Sequence, residues 1–155
     1  MKPTDVLTFE PEHYIFLDWE TYYDDEYSLS KMSTEAYVRD NRFEGIGVGV
    51  DDGEEYQWME EWEFREWAKT VPWEKCAVGA HHHHFDGLIN SHHYGIVPGF
   101  YFCSLSMARA IHGVGGLGLK DLLPKYGLGE KGHEVDDAKG KHRKDFTQQE
   151  WEQYG

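Results

Sequence analysis

Apolar and polar positions repeat with two different periods along this chain, and the switches between them mark its elements. Tyr14-Ile15-Phe16-Leu17 is apolar throughout and runs into Asp18-Trp19-Glu20, which predicts a buried strand over about 14–19. Gly45-Ile46-Gly47-Val48-Gly49-Val50 alternates glycine with apolar residues and predicts a central strand whose glycines admit another backbone closely. Asp51-Asp52-Gly53 is a turn, and Glu55-Tyr56-Gln57-Trp58 returns as the second arm of a hairpin. A helical period follows over 60–69, with Trp62, Phe64, Trp67 and Ala68 on its apolar side. Cys76-Ala77-Val78-Gly79-Ala80 and Phe100-Tyr101-Phe102-Cys103 predict two more short strands, separated by a helix from Phe85 to about Tyr94 that Gly95 stops.

Shorter helices are expected at 33–38 behind a Ser33 cap, at 104–110, and at 119–126 before Gly127. Residues 1–12 read as a polar lead-in, 21–44 as a long polar insertion and 129–146 as a charged loop. Thr147-Gln148-Gln149-Glu150 is a capping box that opens a last helix, which Gly155 cuts short. Antiparallel strands first, then strands alternating with helices, predict an α/β fold: a mixed sheet of about five strands flanked by helices.

At 155 residues the chain reads as a single domain, incomplete at its C-terminus, with 15% aromatic residues to build a core. It contains no apolar run long enough for a membrane span and no secretory signal pattern. The two cysteines, Cys76 and Cys103, sit in apolar stretches and read as reduced thiols of a cytoplasmic compartment. The net charge of −14 changes the functional picture most. Such a surface repels phosphate at long range, so contact with nucleic acid requires metal ions, a local basic patch or cations on another domain.

Side chains two apart on a strand share a face, so Asp18 and Glu20 project together and repel each other unless a cation lies between them. Mg²⁺ suits such oxygen donors. The competing reading is a solvated strand end entering the acidic loop Asp24-Asp25-Glu26. Asp86, near a helix start, is either a first-turn acid favoured by the helix dipole or a third ligand facing Asp18 and Glu20. Spacing alone leaves both open.

Leu17-Asp18-Trp19-Glu20-Thr21, the Phe85-Asp86 segment and Leu105-Ser106-Met107-Ala108-Arg109 together resemble the 3′–5′ proofreading exonuclease domains of phage family A DNA polymerases. Those domains belong to the DEDD superfamily, with a ribonuclease H-like fold. The resemblance covers about residues 14–155 and takes in Tyr22-Tyr23, Tyr27-Ser28-Leu29-Ser30-Lys31-Met32, Gly127-Leu128-Gly129-Glu130-Lys131-Gly132 and Asp145-Phe146-Thr147. It implies hydrolysis of phosphodiesters at a DNA 3′ end by a two-metal site. Asp18 would bridge two Mg²⁺ or Mn²⁺ ions, and Glu20 and Asp86 would hold one each. Trp19, Thr21, His82 and Phe85 would surround the single-stranded 3′ end, although Phe85 also reads as core. A polymerase domain, or a separate polymerase chain, is the implied partner.

The family's third motif, a Tyr or His followed four residues later by a fourth metal-binding Asp, is expected just beyond Tyr154-Gly155. Tyr154 is therefore not its tyrosine, and the chain to Gly155 is expected to be weakly active or inactive by itself. Two positions depart from the pattern: His82 stands where Asn is common, and Cys103 where Asp is frequent. From a different functional class, a non-catalytic module that binds a 3′ end or docks on a polymerase fits the same residues.

Three other features invite chemistry. His81-His82-His83-His84 suggests zinc, but on a strand at most two of the four converge. Gly113-Val114-Gly115-Gly116-Leu117-Gly118 matches a dinucleotide fingerprint but follows a helical segment, so it reads as a connection. Lys139-Gly140-Lys141-His142-Arg143-Lys144 is the dense basic run, read as a phosphate contact or a solvated loop.

Overall fold

A computed structural model describes residues 8–130 and 137–155; the start of the lead-in and the middle of the charged loop, including Gly132, lie outside the described residues. The expected α/β architecture is observed. Strand β1 (His13–Thr21) lies at the centre of a five-stranded sheet with β2 (Gly45–Asp51), β3 (Tyr56–Met59), β4 (Cys76–Ala80) and β5 (Phe100–Cys103), in the order β3-β2-β1-β4-β5. β1 runs antiparallel to β2 and parallel to β4, so the sheet is mixed.

The strand period separates the two faces. Ile15, Leu17 and Trp19 are buried and join Val48, Val50, Val78, Phe64 and Ile89 in the main core. Covering this face are α1 (Thr34–Arg39), α2 (Glu61–Ala68) and α3 (His83–Tyr94). Ser33 caps α1 by accepting from the Ala36 amide at 3.2 Å, as its sequence predicts. Trp62 departs from expectation: it is 63% exposed, while Phe64 is buried. Residues two apart on a helix point about 200° apart, so Trp62 and Phe64 cannot share the face that packs on the sheet.

On the opposite face, Tyr14 and Phe16 stay about half exposed, at 55% and 47%. Two helices follow β5, α4 (Ser104–His112) and α5 (Leu119–Lys125), with the glycine-rich segment as the connection between them. The last helix, α6 (Gln148–Tyr154), opens on the expected reciprocal Thr147–Glu150 capping box. At seven residues it needs tertiary anchors to persist. Trp151 supplies them, donating its indole N–H to the Ile46 carbonyl at 2.7 Å and accepting from Trp58 at 2.9 Å. Ile46, Ala138, Phe146 and Trp151 form a second small core on this face.

Aromatic rings, rather than another backbone, fill the space above the β2 glycines. A Cβ on Gly47 would lie 2.3 Å from the Trp58 ring, and one on Gly49 2.8 Å from the Tyr56 hydroxyl. Gly79 plays the same part in β4. Its register partners Phe16 and Phe102 meet edge to face across it at 5.2 Å, and a Cβ there would sit 2.3 Å from Phe102. Gly79→Ala is therefore expected to cost about 1–3 kcal/mol by overpacking, read as a lower urea midpoint with unchanged slope.

Candidate active site

The site arises where two strands part. The β1–β4 ladder ends at the Phe16–Gly79 pair, while β4 continues beside β5 to Ala80. The Trp19 amide, beyond that fork, needs an acceptor from elsewhere. Asp86, in the first turn of α3, provides it: its Oδ1 accepts from the Trp19 N–H at 3.0 Å. One turn on, Asn90 accepts from the Trp19 indole at 2.8 Å. α3 thus clamps Trp19 at backbone and ring together, and the Asp86 carboxylate meets the Asp18–Trp19 peptide.

Asp86 is only 2% exposed. Burial pushes its carboxyl well above the usual carboxylate range, the Trp19 N–H acts against that, and the charges of Asp18 and Glu20 push it further up. Glu20 accepts from the Tyr154 hydroxyl at 3.0 Å. Asp18 lies on the open face, in a cleft of about 210 Å³ that it lines with Tyr56, His81, Ser104 and Leu119.

Among the described residues no three His, Cys, Asp or Glu side chains are gathered as a ready metal-holding set. Asp86 is turned inward to the Trp19 amide, and Glu20 toward Tyr154. The donor chemistry does fit a hard divalent cation: all three candidates are carboxylates, and the charges of Asp18 and Glu20 raise the cost of a charge on Asp86. Gly49 and Gly47 are the register partners of Asp18 and Glu20.

The other residues singled out in the sequence fall into place unevenly. The Trp19 ring is 3% exposed, stacked on Tyr94 and edge-on to Phe64, so it belongs to the core and offers no surface to a base. Thr21 shares a 2.8 Å hydrogen bond with the Tyr37 hydroxyl. Phe85 is half-buried and tilted against Tyr37. His82 is exposed at the N-terminal boundary of α3, with a left-handed φ of 67° that non-glycine residues seldom adopt.

The histidine run does not lie on a strand as expected. His81 follows β4 and pairs with Ser104 Oγ at 2.9 Å, while His83 and His84 already belong to α3. Cys103, standing where the resemblance led one to expect Asp, accepts from the His83 amide at 3.3 Å, so sulfur caps the helix start. The His83 ring rests over Gly87 and against Tyr101, both nitrogens buried without a protein partner, and burial pulls its pKa down to about 4. A depressed folded value means stability present above about pH 6.5 and lost as pH falls toward 4. His83→Phe is expected to flatten that limb, measured as urea midpoints from pH 7 to pH 4.

The basic run 139–144 makes ion pairs with the acidic body. Lys139 pairs with Asp25, Lys141 with Glu150, His142 with Glu44 and Arg143 with Glu60, so the run ties the C-terminal segment to the acidic body. Asn90 and Tyr154 are the site residues that sequence reasoning missed. The signal for Asn90 was a polar residue four positions after Asp86 on the buried helix stripe; nothing in the sequence connects Tyr154 with Glu20.

These elements build a fold that is similar to those of solved nucleases. The chain superposes on NrnC of Brucella melitensis with a TM-score of 0.58, over 93% of this chain and 65% of that one, at 15% identity. Escherichia coli RNase D, an exoribonuclease involved in structured RNA processing, matches with a TM-score of 0.59 over 90% of this chain and 34% of that one, at 13% identity. NrnC also matches in forms with bound Mg²⁺ and bound to pGG. The likeness is one of fold, and the chain spans 65% of NrnC's length and about a third of RNase D's. No family model and no curated protein matches the sequence.

Proposed function

We propose that this chain is the metal-dependent 3′–5′ exonuclease module of a phage-type family A DNA polymerase, with Asp18, Glu20 and Asp86 as its catalytic carboxylates. The observation that carries this reading is the hydrogen bond from the Trp19 amide to Asp86, which brings an acid 67 residues away to the Asp18–Trp19 peptide. Asp18, Glu20 and Asp86 would hold Mg²⁺ or Mn²⁺. A divalent cation there supplies Lewis-acid polarisation of a phosphoryl oxygen and a water acidic enough to ionise near neutrality. The chain's own residues do the positioning. Tyr154 orients Glu20, α3 fixes the β1 backbone through Asp86 and Asn90, and Thr21 and His82 would contact a single-stranded DNA 3′ end. A polymerase domain or separate polymerase chain supplies the cations that a −14 body lacks.

The lack of a ready three-ligand set among the described residues favours a second reading, a non-catalytic module that binds a 3′ end or docks on a polymerase. One pair of measurements separates the two. Tb³⁺ luminescence sensitised by Trp19 and displaced by Mg²⁺ reports cation binding, and release of nucleotides from a 5′-labelled single strand in Mn²⁺ reports cleavage. The nuclease reading expects Tb³⁺ binding that Asp18→Asn abolishes, with slow cleavage that Asp18→Asn also removes. Cation binding without cleavage supports the module. Luminescence unchanged by Asp18→Asn overturns the catalytic assignment.

A further inference from the structure

Lys139, Lys141, His142 and Arg143 of the dense basic run already pair with acids, so cations without an acidic partner are to be sought elsewhere on the surface. No Asp or Glu occurs between Asp86 and Asp121, in a chain that carries 29 acids. That acid-free stretch contains α4 and reaches into α5, whose first residues, Ser104 and Leu119, line the same cleft as Asp18. Arg109 on α4 and Lys120 on α5 are exposed and take part in no ion pair among the described residues. Asp121, the acid that ends the stretch, is folded back against Gly116. The hydrogen bond between His81 and Ser104 ties the start of α4 to the start of α3, which carries Asp86. Arg109 also lies near enough to the exposed His82 for its charge to disfavour protonation of that imidazole.

We propose that Arg109 and Lys120, with His82 beside them, form the phosphate-binding rim of the Asp18 cleft and grip the backbone of a single-stranded nucleic acid entering it. This assignment rests on the nucleic-acid reading above and names the surface that serves it. The argument is one of local sign. A polyanion approaching a −14 body meets net repulsion, and on the elements that border the cleft Arg109 and Lys120 are cations with no ion-pair partner among the described residues. A guanidinium and an ammonium read phosphate but not sequence, so the rim sets affinity and register rather than base preference.

The test is salt-dependent binding of 5′-fluorescein-(dT)12 and 5′-fluorescein-(rU)12 by anisotropy, in EDTA so that nothing is cleaved. Each phosphate contact contributes about 0.7 to the slope of log K against log salt for a single strand. Arg109→Ala/Lys120→Ala is expected to lower that slope by about 1.4 and to weaken binding about tenfold at low salt. Lys139→Ala/Lys141→Ala, which removes paired cations, is expected to leave the slope where it was. Both residues of the first variant are exposed, so far-UV circular dichroism should match the parent. Equal effects on both probes mark a grip on phosphate alone, whereas loss confined to one would overturn a contact common to both backbones. A parent that binds, with an unchanged slope in Arg109→Ala/Lys120→Ala, overturns the rim and leaves the nuclease reading standing. A parent that binds neither oligonucleotide in 50 mM KCl also overturns the rim, while cleavage in Mn²⁺ decides the nuclease reading separately.

Discussion

Asp86→Asn is expected to make the cation-free protein more stable while weakening the cation site proposed above. The amide oxygen of the substituted side chain can still accept from the Trp19 N–H, but the buried charge and its repulsion by Asp18 and Glu20 disappear. Relief of this kind is usually worth about 1–2 kcal/mol, the familiar exchange of stability against function. Its pH dependence follows from the direction of the shift. A raised folded pKa gives the parent stability that is fully present below about pH 4 and lost as pH rises through the raised value. The advantage of the variant over the parent therefore grows between pH 4 and pH 8. Added Mg²⁺ should stabilise the parent by mass action and the variant much less, with affinity down about 10–100-fold. Urea midpoints at both pH values, with and without Mg²⁺, check all of this. A variant less stable than the parent at pH 8 would show that the charge at Asp86 is compensated in some other way.

Trp151→Ala is the second large effect. The side chain is 5% exposed, and its indole N–H satisfies the Ile46 carbonyl in strand β2. Truncation of a buried tryptophan costs about 3–5 kcal/mol, a large share of the roughly 5–15 kcal/mol that a domain of this size commands. The loss also frees α6, so Tyr154 leaves Glu20. The expected result is a urea transition at lower concentration, with a weaker near-ultraviolet dichroism signal even before the transition begins. A midpoint within experimental error of the parent would mean that α6 is not held as described.

The strands were legible because each is a short apolar run bounded by turn residues, and β1 announced both its buried face and its two acids. The helix caps at Ser33 and Thr147 were legible because capping depends on residues three apart. What escaped depended on partners distant in sequence. The bases of 139–144 read as available because Asp25, Glu44 and Glu60, which neutralise three of them, are about a hundred residues away. The histidines were placed on a strand because the apolar run of β4 gives no hint that the chain turns at His82. Trp19 read as a base contact because its neighbours are the acids, yet alternation sends its ring to the core and leaves only its amide at the site.

That amide ties the integrity of the site to a single helix. At the fork between β1 and β4 the Trp19 N–H has Asp86 as its acceptor, so its proton exchanges with solvent only when the start of α3 lifts away. The same lifting withdraws one of the three carboxylates. Hydrogen-exchange protection at this one position therefore measures, in a single number, the fraction of time that Asp86 holds the β1 backbone, and a second protein pressing on α3 would adjust that number directly.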